Sequence, residues 1–250
     1  MKKEFVIKNK RVLITGGAKR LGAACARDLA SKGAHIVLHY NTSKEPALKL
    51  AEELKENGIT VHCIQTDLTN PGQAEKLVDK VNGLAGPIDI LLNNASIYPA
   101  STIQKMSHLE LFANINVNAF SPLCLSRAFA AQTNDGVIIN FLDTRIVEYD
   151  KLHAAYHLSK RMLAALTRMC ALEFAPAVRV NGIAPGLILP PEGKDESYFE
   201  QYYDRIPLHA HGSLEDITRT IVFFIESTFI TGEIVFVDGG AFMKGNTYGF

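Results

Sequence analysis

A chain of 250 residues with 47% hydrophobic and 21% charged side chains has the make-up of an ordinary globular protein able to bury a large core, and its length suits one doubly wound α/β domain. Its 26 basic and 26 acidic residues cancel, so no net field draws it to nucleic acid or to an anionic membrane, and neither is expected as a partner. The four cysteines, Cys25, Cys63, Cys124 and Cys170, form no Cys-x-x-Cys pair, which argues against a metal cage or a disulfide framework and suits a reducing cytoplasm.

The basic start, Met1 to Lys10, holds no signal-peptide core, because Lys8, Lys10 and Arg11 break its apolar stretch. No apolar run in the sequence approaches the length of a membrane span. From there, seven short runs read as strands: Arg11 to Thr15, Ala34 to His39, Thr60 to Thr66, Ile88 to Asn93, Gly136 to Phe141, Val178 to Ala184 and Ile234 to Asp238. Their interiors are nearly continuously apolar, the pattern of a parallel sheet covered by helices on both faces. Amphipathic stretches lie between them at Gly22 to Lys32, Glu45 to Asn57, Pro71 to Leu84, Ser121 to Gln132 and Ala155 to Phe174. This βαβ repetition predicts a single-domain, Rossmann-type, doubly wound sheet of seven parallel strands, and no linker or repeat divides residues 1–250. One long interruption, Gly186 to Leu208, carries three prolines and the cluster Tyr198, Phe199, Tyr202 and Tyr203; it is expected to form a flap over the site.

In chain order, the first strand runs through Thr15-Gly16-Gly17-Ala18-Lys19-Arg20-Leu21-Gly22 into a helix, so backbone N–H groups and the helix N-terminus face the turn and form an anion site. A glycine turn by itself means only a tight connection; its place in the first βαβ unit points to a dinucleotide. The second strand ends in His39-Tyr40-Asn41-Thr42-Ser43, without the carboxylate that an NAD site would offer the ribose hydroxyls. Asn41, Thr42 and Ser43 can donate to a 2′-phosphate, and Lys19 or Arg20 supplies positive charge, so NADP(H) is the expected cofactor. Asp67-Leu68 and Asn93-Asn94-Ala95-Ser96 follow the third and fourth strands and line the same sheet edge, although each alone could be a helix cap. Tyr156 and Lys160, four apart on a helix, share a face; a nearby ammonium would lower the pKa of the phenol, whose ordinary value is about 10, and tune it as an acid/base catalyst.

These motifs resemble, in order and over almost the whole chain, the short-chain dehydrogenase/reductase family: the Gly16 turn, Asn93-Asn94-Ala95, Tyr156-x-x-x-Lys160, the stretch Arg179 to Gly186, and the late Thr231-Gly232 with Val237-Asp238-Gly239-Gly240. The resemblance implies nicotinamide hydride transfer with Tyr156 as proton donor, Lys160 on the nicotinamide ribose and Asn118 organising a proton-relay water. It places Gly16, Lys19, Arg20, Leu21, Gly22, Tyr40, Asn41, Thr42, Ser43, Asp67, Leu68, Asn94, Ala95, Ser96, Tyr156, Lys160, Pro185 and Gly186 at the cofactor. It also implies a homotetramer.

Two departures narrow the resemblance. Arg20 stands at the middle glycine of the family's Gly-x-x-x-Gly-x-Gly, and Asp143 stands thirteen residues before Tyr156, where the family has a serine. Both resemble the pteridine reductase branch, as do His39-Tyr40 and Asn118-Ala119 followed by Pro122. In that branch the arginine faces cofactor phosphate and pterin, and the aspartate and tyrosine bind the pterin edge. The implied substrate residues are Arg20, Ser96, Tyr98, Asp143, Tyr156 and Leu187. One position disagrees: where the branch stacks a phenylalanine on the pterin, this chain reads Ser96-Ile97-Tyr98-Pro99, so Tyr98 takes that place, or the pocket takes a different heterocycle and Tyr98 packs the loop.

His153 and His157 share a helical face at a zinc-compatible spacing, but no third ligand accompanies them; they are expected at the helix surface or site rim, and no metal is expected. The sequence therefore predicts an NADPH-dependent reductase of a dihydropterin or dihydrofolate. A carbonyl or 3-oxoacyl reductase in which Asp143 does the work of serine is its rival, and a catalytically silent nucleotide sensor is a third reading.

Overall fold

The structure is a computed structural model and describes residues 4–244; the first residues of the basic N-terminal stretch and residues 245–250 lie outside it. Seven strands form one sheet: β1 (Arg11–Ile14), β2 (His35–Tyr40), β3 (Val61–Gln65), β4 (Ile90–Asn93), β5 (Gly136–Phe141), β6 (Val178–Pro185) and β7 (Ile234–Val237). Their order is β3-β2-β1-β4-β5-β6-β7 and every pairing is parallel, as the apolar runs predict.

Alternate residues of the strands feed opposite faces of the sheet. Val12 and Ile14 of β1 pack with helices α1 (Arg20–Ser31), α2 (Lys44–Lys55) and α8 (Leu214–Glu226), whereas Leu13 faces α4 (Leu77–Ala85), α6 (Ser121–Gln132) and α7 (Ala154–Glu173). A period of two thus sends successive side chains to opposite faces, and both faces are apolar because both are covered. The strand order reverses between β1 and β4, so the connections leaving their C-terminal ends diverge and open a crevice there, the place where such sheets bind ligands.

The helix expected from Pro71 to Leu84 is interrupted at Lys76, giving α3 (Pro71–Glu75) before α4. Helix α5 (His108–Ile115) has no counterpart among the sequence expectations, although Ser107 and Glu110 form a capping box that the sequence does contain. It runs into a five-residue π-helical turn, Asn116–Phe120, which enters α6. The segment expected as a flap carries a 3₁₀ helix, Glu196–Arg205, pinned by Phe199, which is 1% exposed. A short α9 (Ala241–Lys244) follows β7.

Candidate active site

The crevice begins at the turn after β1. Gly16 has φ +60°, and a Cβ on Gly22 would lie 2.4 Å from the Gly16 carbonyl oxygen, so the turn and the first coil of α1 pack too closely for any side chain. Asn94 closes the turn from β4: its amide donates to the carbonyls of Thr15 at 2.9 Å and Gly16 at 3.0 Å. The Thr15 hydroxyl accepts the N–H groups of Asn94 and Ala95, each at 3.0 Å. The result is a closely packed glycine turn that leads into the N-terminus of α1 at the sheet edge, the arrangement that a dinucleotide site requires.

Two adjoining cavities lie along this edge. One of about 190 Å³ is lined by Gly16, Lys19, Tyr40, Asn41, Thr42, Ser43, Asp67, Leu68 and Ala95. The other, about 200 Å³, is lined by Arg20, Leu21, Asn94, Asp143, Tyr156, Lys160, Pro185 and Gly186, and Ser96 belongs to both. Among the residues expected at the substrate, Leu187 does not reach the wall; its carbonyl accepts from Gly212 N–H, and Ile188 and Leu189 line the cavity in its place. Arg20 sits at φ +52°, in the left-handed region, and its guanidinium donates to the carbonyl of Pro190 at 2.9 Å. It thereby links the glycine turn to the segment after β6.

Helix α7 is fixed from below by a buried polar chain: Asn93 donates to Asn140 at 2.8 Å, and Asn140 donates to Thr167 at 2.9 Å. From that helix the Tyr156 hydroxyl, nearly buried, donates to Asp143 Oδ2 at 2.7 Å. The other carboxylate oxygen accepts Arg145 N–H at 2.8 Å, which holds Asp143 at the start of its loop. Lys160, buried, donates from Nζ to the Phe141 carbonyl at 2.7 Å and lies 5.7 Å from the Tyr156 ring centroid.

The depression of the Tyr156 pKa expected from Lys160 is not what this arrangement produces. Burial, and then the negative charge and hydrogen bond of Asp143, push the phenol well above its ordinary value and keep it protonated. Burial pushes Lys160 down to about 8, against the opposing charge of Asp143. Burial is the larger cause, and the carboxylate that stands where the family has a neutral serine adds to it, because the phenol's nearest partner stabilises O–H rather than O⁻.

Asn118 sits on the π-helical turn with all four side-chain hydrogen-bonding positions occupied. Its oxygen accepts Ser96 Oγ at 3.1 Å and Ile97 N–H at 2.9 Å, and its amide donates to the Ile97 carbonyl and to Ser159 Oγ, both at 3.0 Å. It ties the Ser96 loop to α7. Tyr98 packs outside both cavities: its ring stacks on His153 at 3.9 Å and meets the Tyr156 ring edge-on at 4.6 Å. Its hydroxyl contacts His153 Nδ1 and the Arg145 guanidinium. Of the two histidines expected at the surface or rim, His157 is buried, with Nε2 3.1 Å from Asp150 Oδ2. Burial opposes ionisation of Asp150, yet hydrogen bonds from His157, Leu152 N–H and His153 hold its carboxyl well below the usual range. Among the described residues no three His, Cys, Asp or Glu side chains converge as a metal site. Arg145 and Asp150 carry no sequence signal; folding sets the Arg145 guanidinium 3.4 Å from Asp150 and close enough to act on Tyr156, while Ser159 follows Tyr156 by three residues on α7 and donates to its carbonyl at 2.7 Å.

No helix among the described residues is long and apolar enough to cross a membrane. A family model described as enoyl-(acyl carrier protein) reductase matches residues 16–241. The FolM alternative dihydrofolate reductase 1 of Brucella canis, solved with NADP, superposes with a TM-score of 0.88 at 32% identity over 96% of each chain. Pteridine reductase 1 of Leishmania tarentolae is 31% identical over 91% of this chain and 94% of its own. A 3-oxoacyl-[acyl-carrier-protein] reductase of Staphylococcus epidermidis is 28% identical over 94% of this chain and the whole of its own. With the sheet order, the glycine cradle and the Tyr156–Lys160 pair in one crevice, these likenesses establish that the chain belongs to the short-chain dehydrogenase/reductase family and is an oxidoreductase.

Proposed function

We propose that this protein is an NADPH-dependent reductase of a pterin-type heterocycle, a dihydropterin or dihydrofolate. The observation that carries the proposal is the 2.7 Å contact between Tyr156 and Asp143 on the wall of the cavity that Arg20 also lines. Reducing a ring imine requires hydride at carbon and a proton at nitrogen. NADPH supplies the hydride when bound. Tyr156 holds the proton, Asp143 keeps it on the phenol and offers a carboxylate to an amino-pyrimidine edge, and Lys160 supplies the buried positive charge for the ribose. Asn118 fixes the Ser96 loop, which lines both cavities. The identity to the Leishmania pteridine reductase and the fold of the Brucella alternative dihydrofolate reductase support this reading.

The rival reading is reduction of a ketone such as a 3-oxoacyl thioester, which the full-length match to the Staphylococcus enzyme favours. One assay separates the two: NADPH oxidation against dihydropterins, dihydrofolate and simple ketones. Turnover of the heterocycles is expected; turnover of ketones alone would defeat the proposal. The same assay should show NADPH preferred over NADH, because Lys19 and the Asn41-Thr42-Ser43 loop line the cavity that the ribose end would enter. Asn41→Asp should erode that preference through charge repulsion with the 2′-phosphate.

The segment from Gly186 to Leu208 acts as a flap in this reading. Residues 191–197 are exposed, whereas Ile188 and Phe199 are buried, so the tip can move between two anchored points. Amide exchange across the tip is expected to slow when NADPH and substrate bind together; equal exchange with and without ligands would show that it is no flap. A homotetramer is also proposed, supported by the exposed Leu158, Met162, Met169 and Leu172 along α7.

A further inference from the structure

His39 ends the run of buried residues in β2 and lines the same cavity as Asn41, yet the reaction described above makes no use of it. Its ring is 2% exposed. The Gly16 N–H donates to Nδ1 at 3.2 Å, and Nε2 lies 2.9 Å from the Thr66 carbonyl oxygen. An amide N–H can only donate and a carbonyl can only accept, so a single state of the ring satisfies both: hydrogen on Nε2 and a lone pair on Nδ1. A cationic ring would lose the acceptor. Burial likewise keeps the ring neutral by pushing the His39 pKa down to about 4, and the two partners select the tautomer.

The residue also engages the turn through its backbone, since the His39 carbonyl accepts Gly17 N–H at 3.0 Å. The first two amides of the glycine turn therefore both end on one residue of the neighbouring strand. The Gly16 carbonyl is held from the opposite side by Asn94 at 3.0 Å. Gly16 needs this grip: at φ +60° a glycine explores many alternative conformations, and each hydrogen bond narrows that choice before a ligand arrives.

We propose that His39 is a positioning residue of the nucleotide site: its neutral, Nε2-protonated ring clamps the Gly16 amide and presets the glycine turn for the dinucleotide. The proposal rests on the nicotinamide-cofactor reading above. It acts on cofactor affinity rather than on the chemical step, because His39 reaches the site through Gly16. The turn serves the part that NADP⁺ and NAD⁺ have in common, so both should respond alike.

The test compares three variants by calorimetric titration with NADP⁺ and with NAD⁺, alongside kcat at saturating NADPH and long-range proton–nitrogen spectra of the wild-type ring. His39→Leu, which keeps bulk and removes the acceptor, should raise Kd for both cofactors about tenfold with kcat unchanged. His39→Asn places an oxygen near the Nδ1 position and should recover most of that affinity. His39→Gln reaches only toward the Nε2 position and should remain as weak as Leu. The wild-type spectrum at neutral pH should be that of the Nε2–H tautomer. Wild-type affinity in the Leu variant, equal affinities of Asn and Gln, or an Nδ1–H or cationic ring would each overturn the proposal. If the Leu variant does not fold, the comparison of Asn with Gln decides. The wild-type ratio of NADPH to NADH affinity tests the cofactor assignment separately, since its failure would leave the His39 comparison intact.

Discussion

Tyr156→Phe should lower kcat by about a hundredfold or more, the usual scale for removing a positioned general acid, and leave NADPH affinity nearly intact. The hydroxyl is nearly buried and committed to Asp143 at 2.7 Å, so its loss removes the proton source without opening the cofactor cradle at Gly16 and Gly22. Lys160→Ala should damage turnover and NADPH affinity together, because the proposal places its charge at the ribose as well as beside the phenol. The pH dependence of kcat/KM for NADPH carries a second signature, since that ratio reports groups of the free enzyme. Burial lowers the lysine's pKa to about 8, so its charge is present below that pH and is lost as pH rises through it. Tyr156 is shifted the other way and keeps its proton across this range. The alkaline limb should therefore fall near the lysine's value and survive in Tyr156→Phe. Normal turnover in the Phe variant would show that the proton comes from another group.

Asp143→Ser should separate the pterin reading from the ketone reading at one position. If the carboxylate binds the amino-pyrimidine edge, the change removes a charge-assisted hydrogen bond of about 1.5 to 3 kcal/mol. Reduction of the heterocycle should fall by roughly one to two orders of magnitude. The Tyr156 pKa should come down as well, because the charge and hydrogen bond of Asp143 are, after burial, what raise it. Ketone reduction, if the wild type shows any, should hold or rise, since serine can polarise a carbonyl. Unchanged turnover of the heterocycle, with folding and NADPH affinity verified, would falsify the role assigned to Asp143.

The sheet was legible because its causes are local. Each strand is a short apolar run and each main helix an amphipathic one, and strong periodicity survives whatever the rest of the chain does. The ends moved by a residue or two where pairing stops, as at Ile90, two residues inside the predicted start. Helix α5 is absent from the sequence expectations although Ser107 and Glu110 signal its start, and its π-helical continuation carries no local signal at all. Nothing local in Asn116–Phe120 asks for a wider turn; it occurs where Asn118 must reach both the Ser96 loop and Ser159.

The site divides in the same way. Spacing alone placed Tyr156 and Lys160 on one face of a helix, and the missing carboxylate after β2 marked the cofactor end of the crevice, because both depend on neighbours within a few residues. Only the tertiary structure decided how these groups are charged. The sequence pairs Tyr156 with Lys160, whereas the fold turns Lys160 toward the Phe141 carbonyl and sets Asp143 against the phenol. It also packs Tyr98 behind Tyr156, leaves Leu187 off the cavity wall and draws the Arg20 guanidinium to the segment after β6. The state of an ionisable group depends on burial and on partners distant in sequence. Composition, periodicity and spacing determine the frame and name the reactive groups; three-dimensional packing sets their protons.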